Sequence, residues 1–117
     1  MKRTIRRLVF LFIALIAAAP AVAQKAGSGN RVNDRLLSMP AAEQATTIAN
    51  NVGQNCEGTE AFPMGVTKAG KAKGFAYWSV RCKDGRSFAI QIAPNAEIVV
   101  VDCRLLKANG KECFKKF

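Results

Sequence analysis

Few residues in this chain can do chemistry, and their spacing restricts what they can do. Four cysteines stand at positions 56, 82, 103 and 113, and histidine is absent. Without histidine the commonest general base and metal ligand are missing, and Ser/His and Cys/His nucleophile pairs are excluded. The cysteines are separated by 25, 20 and 9 residues. That spacing lacks the Cys-x-x-Cys pair that zinc centres and dithiol redox sites use, so Cys56, Cys82, Cys103 and Cys113 read as two disulfides. Glu57 and Glu60 flank Gly58 and read as a solvated loop. A calcium loop needs more alternating oxygen ligands, and glycoside cleavage needs carboxylates facing across a cleft. No serine sits in a Gly-x-Ser-x-Gly elbow, and a Ser/Lys dyad would have to be built from Ser79 or Ser87. Gly65, Gly70 and Lys71 match part of a phosphate loop, but Ala72 replaces the Ser/Thr and no helical pattern follows. The chain is therefore expected to be non-catalytic, with no metal and no cofactor.

The basic residues point to a compartment and a kind of surface. Lys2, Arg3, Arg6 and Arg7 precede an apolar run from Leu8 to Ala19, then Pro20 and Ala21-Val22-Ala23. This order predicts a signal peptide over 1–23, cut between Ala23 and Gln24. A helix over that apolar run spans about 18 Å against about 30 Å of hydrocarbon, so no stable membrane insertion is expected after cleavage. The product is expected to be periplasmic or secreted. Removing the four basic residues of that segment from 18 leaves 14 against 8 acidic groups, a net +6 rather than the full chain's +10. The even cysteine count then fits an exported domain too small to rely on its core alone.

Residues 24–32, rich in glycine and polar side chains, read as a flexible leader, and 33–117 as a single small α+β domain. Asn33 is expected to cap a short turn holding Leu36 and Leu37. Pro40 suits the start of a helix in which Ala41, Ala45, Ile48, Ala49 and Val52 share one face, and Gly53 stops it. The period then changes to two. Ala61–Thr67 reads as a weak strand that Pro63 confines to an edge. Phe75–Cys82, Ser87–Ala93 and Glu97–Cys103 read as three stronger strands, and a short helix is expected in the C-terminal stretch.

The Lys83-Asp84-Gly85 turn sets the register. A two-residue loop would place Phe88, Ile90 and Ile92 beside Ser79 and Arg81. A three-residue loop with Gly85 left-handed places Val80 opposite Phe88 and Trp78 opposite Ile90. The second gathers Ala76, Trp78, Val80, Phe88, Ile90 and Ile92 on one buried face, and a slip of one residue would undo this. The predicted fold is one main helix packed on a three- to four-stranded antiparallel meander. Cys82 and Cys103 then lie two strand spacings apart, roughly 9–10 Å, beyond a disulfide's reach. Cys56–Cys82 with Cys103–Cys113 is preferred, and Cys56–Cys103 with Cys82–Cys113 is the alternative.

The layout carried by Ala76–Val80, the Asp84-Gly85 turn, Phe88–Ile92 and Glu97–Val101 resembles PepSY-like exported domains. Such domains are associated with the envelope and with restraint of proteases, so the resemblance implies a binding or inhibitory role. No functional motif of the family maps onto a residue here. Phe75, Tyr77 and Arg81 share the outer face of the sheet, with Lys83 and Arg86 nearby. These five form the expected partner surface, unless the C-terminal stretch covers it through Phe114 or Phe117. The expected partner is an envelope protein, or alternatively an anionic polymer met through charge. Export argues against nucleic acid.

Overall fold

The computed structural model describes residues 27–117. The expected signal peptide, 1–23, and residues 24–26 lie outside the described residues. Four strands, β1 (Gly58–Val66), β2 (Ala76–Cys82), β3 (Ser87–Ile92) and β4 (Ile98–Asp102), form an antiparallel sheet in chain order. The β2–β3 turn has Gly85 at φ 90°, with Val80 opposite Phe88 and Trp78 opposite Ile90. This is the register that joins the large apolar side chains on one face. Helix α2 (Ala41–Val52) covers that face with Ala45, Ile48, Ala49 and Val52, while Ala41 lies exposed in the first turn. Trp78 and Ile48 are completely buried between the layers.

Small residues let the layers approach closely. A Cβ at Gly58 would sit 2.7 Å from the Ala45 carbonyl carbon and 2.9 Å from the Ala49 methyl. Glycine is required there because α2 crosses directly over the start of β1. β1 starts at Gly58, paired with Cys82, ahead of the expected Ala61. Glu60 thus belongs to the strand, opposite Arg81, rather than to a solvated loop. Pro63 is tolerated because β1 is an edge, and the pairing shifts register between Pro63 and Gly65.

The fold also reaches further toward the N-terminus than periodicity suggests. Helix α1 (Arg31–Leu37) is capped by Asn30, whose side chain accepts the Asn33 N–H. Asn30 is buried, and its Nδ2 donates to the carbonyls of Gly74 (2.9 Å) and Ile92 (2.8 Å). Asn33, expected as a cap, instead lies inside the helix, where its Oδ1 accepts the Trp78 indole N–H at 2.8 Å. Asn30, in the stretch that reads as leader, and Asn33, at the expected start of the domain, therefore tie α1 to the sheet through tertiary hydrogen bonds.

Disulfides join Cys56 to Cys82 and Cys103 to Cys113, with Cα separations of 5.1 and 5.9 Å. In the chain-entropy model loops of this length stabilise by about 3.5 and about 2.7 kcal/mol. The first fastens the segment after α2 to the end of β2. The second holds the stretch after α3 (Cys103–Ala108), whose N-terminus is capped by Asp102 accepting the Arg104 N–H. Two such bonds fit an oxidising, non-cytosolic compartment. No described helix is long and apolar enough to cross a membrane.

Candidate functional site

Side chains that alternate away from α2 build the second face of the sheet. On β2 these are Tyr77, Ser79 and Arg81, opposite Gln91, Ala89 and Ser87. The C-terminal segment passes over them after its disulfide to Cys103. Phe114 N–H donates to Ser79 Oγ at 3.1 Å, and that hydroxyl is 3.0 Å from Met64 Sδ. Ser79 is thereby buried and satisfied. The Phe114 ring lies 6.2 Å from Phe62, and the Arg81 guanidinium stacks 4.9 Å from its centroid. Farther along, Phe117 N–H donates to the Met64 carbonyl at 3.1 Å. Its ring meets Tyr77 edge-on at 5.2 Å.

Between this segment, α3 and the sheet runs a groove of about 940 Å³. Met64, Val66, Tyr77, Ala89 and Val101 contribute apolar surface from all four strands, and Leu106 and Phe117 add more from either side. Lys68, Lys111, Lys115 and Lys116 also line it, with Glu112 as the single acidic group. All four lysines are exposed, and none forms a salt bridge with a described residue. An apolar concavity with a few charged groups around it is the usual form of a binding site.

The expected partner surface divides into separate parts. Tyr77 lines the groove. Arg81 is engaged by Phe114 and lies 3.6 Å from Glu60. Lys83 is exposed beside Glu57 at 3.9 Å. Arg86 is held by Asp84 and donates to the Gln54 carbonyl at 2.7 Å, so it braces the β2–β3 turn. Phe75 is half-buried before β2, at the opposite end of the strand from Lys83. The five residues thus do not form one patch.

The perturbed acids lie outside the groove. The Arg86 backbone N–H and guanidinium hold the Asp84 carboxyl below the usual carboxylate range. Arg104 does the same to Asp102, chiefly through its side chain. The groove itself offers the Tyr77 phenol, the Gln91 amide, the Thr67 hydroxyl and lysine amines. These groups are suited to hydrogen bonding and charge neutralisation. Lys111, Lys115 and Lys116, basic residues of the C-terminal stretch, line the groove with Lys68, in the segment that the Cys103–Cys113 bond holds. Scans against protein-family models, curated proteins and solved structures found no match.

Proposed function

We propose that the chain is an exported, non-catalytic binding module, periplasmic or secreted, that acts through a protein partner on the outer face of its sheet. The observation that carries this function is the groove, whose apolar floor crosses the sheet and whose lysines are free of salt bridges with described residues. Tyr77 is the anchor on the module's side, since an aromatic ring with a polar end is favoured at binding hot spots. The resemblance to PepSY-like domains supports restraint of the partner as the consequence of binding. Capture from an envelope extract tests the proposal, using wild type, Tyr77→Ala and the distant control Lys83→Ala. Recovery should fall for Tyr77→Ala alone. Equal recovery by all three would remove the groove from the function.

The lysines also support a second function, contact with an anionic envelope polymer through charge. Binding would then weaken steeply with salt and be indifferent to Tyr77→Ala. Salt-independent retention on an anionic polysaccharide column would exclude it.

A further inference from the structure

Phe117 is an unusual wall for a groove. The residue is 73% exposed, yet its ring is seated specifically. It meets Tyr77 edge-on and rests over Gly65, where a Cβ would lie 2.9 Å from Phe117 Cδ2. Gly65 has φ 138°, a conformation that side chains resist, so the β1 irregularity leaves a bare backbone seat beneath an aromatic ring. Among the described residues, the backbone of Phe117 makes one hydrogen bond, to the Met64 carbonyl. The covalent restraint on this segment lies four residues earlier, at Cys113. The ring can therefore leave its seat without disturbing the disulfide or the Phe114 contacts.

Charge indicates what would replace it. Lys68, Lys111, Lys115 and Lys116 line the groove against Glu112 alone. An entering segment bearing carboxylates would be attracted, and a basic one repelled. We propose that the groove accepts an acidic stretch of a partner polypeptide carrying one bulky apolar side chain, and that Phe117 is the internal occupant which that side chain displaces from Gly65 and Tyr77. This rests on the groove being the partner surface and adds the chemistry of the partner. Because the seat is already filled, binding is weakened by the free energy that holds Phe117 in place.

The experiment uses the oxidised chain 24–117 and a labelled synthetic peptide with Asp and Glu flanking one Phe, measured by fluorescence anisotropy. Three comparison probes are the same peptide with Lys for the acids, the same peptide with Gly for Phe, and laurate. The acidic Phe peptide should bind wild type, weaken steeply with salt, and bind Phe117→Ala about five- to thirty-fold tighter. That range corresponds to about 1–2 kcal/mol. Lys115→Gln/Lys116→Gln should lose affinity while unfolding at the same urea concentration as wild type. Weaker or unchanged binding by Phe117→Ala would make Phe117 a fixed wall and overturn displacement. Binding of laurate but of no peptide would overturn a polypeptide occupant. Failure of every probe, with partner capture still dependent on Tyr77, would overturn the acidic-segment assignment while leaving the groove as the partner surface.

Discussion

Replacing Asn30 tests how α1 is held to the sheet. The Asn30 Oδ1 caps α1 through the Asn33 N–H, and its Nδ2 serves the carbonyls of Gly74 and Ile92 from a buried position. Asn30→Ala loses a cap worth about 1 kcal/mol and two buried hydrogen bonds worth about 1 kcal/mol each. The total is about 3 kcal/mol, a large part of the stability of a domain this size. At a urea slope of about 1.5 kcal/mol/M the midpoint should fall by about 2 M. Trp78, the only tryptophan and fully buried, reports the transition by fluorescence. Asn30→Asp separates the two roles. A carboxylate keeps the cap but faces both carbonyl oxygens without a proton to donate, so it should be at least as damaging as alanine at pH 7. The introduced carboxyl would have a raised pKa in the folded state. Its penalty should therefore shrink as pH falls through that pKa toward about 4, where the unfolded chain also protonates. If Asn30→Asp matched wild type at pH 7, capping alone would explain Asn30 and the tie to the sheet would be refuted.

Further tests address the covalent frame, the close approach and the acid response. Cys56→Ser/Cys82→Ser should lose about 3.5 kcal/mol and Cys103→Ser/Cys113→Ser about 2.7 kcal/mol, measured by urea unfolding, while peptide mapping without reductant should recover only the 56–82 and 103–113 pairs from wild type. Gly58→Ala should lower the melting temperature by about 4–16 °C, from overpacking of about 1–2 kcal/mol against α2, whereas little change would show that the helix can retreat. Asp84 and Asp102 have depressed folded-state pKa values. Their stabilisation should be present above the ordinary carboxylate range, near pH 4, and be lost as pH falls through the lower folded values. Asp84→Asn/Asp102→Asn should flatten that acid arm in urea midpoints taken from pH 5 down to pH 2, and an unchanged slope would contradict it.

The central sheet was legible because two constraints acted on the same residues. Apolar alternation in Trp78, Val80, Phe88 and Ile90 has one productive pairing, and a left-handed Gly85 supplies the turn that selects it. The same register removed Cys82–Cys103 and so narrowed the connectivity to two possibilities, of which the preferred one is present. Asn30 escaped notice and Asn33 was read only as a cap, because a buried amide satisfied by distant carbonyls or an indole leaves no periodic trace. The early start of β1 was hidden for a related reason: Gly58 is needed for its closeness to α2, whereas glycine in a sequence suggests a break. At the candidate site, the outer-face placement of Tyr77 followed from the alternation. The engagement of Arg86 by Asp84 and the Gln54 carbonyl did not, because the β2–β3 turn and the end of α2 meet only in the folded molecule. The grouping of Lys68 with Lys111, Lys115 and Lys116 likewise depends on where the Cys103–Cys113 bond directs the last residues.

The bonding pattern has a consequence for how the chain matures. The cysteines pair in order of appearance, first with second and third with fourth, so the two covalent loops follow one another without interlacing. An oxidant that meets the polypeptide from its N-terminal side encounters Cys56 and Cys82 as a finished pair before Cys103 arrives. Coupling thiols in that order would give the native set with no mismatched bond to reshuffle.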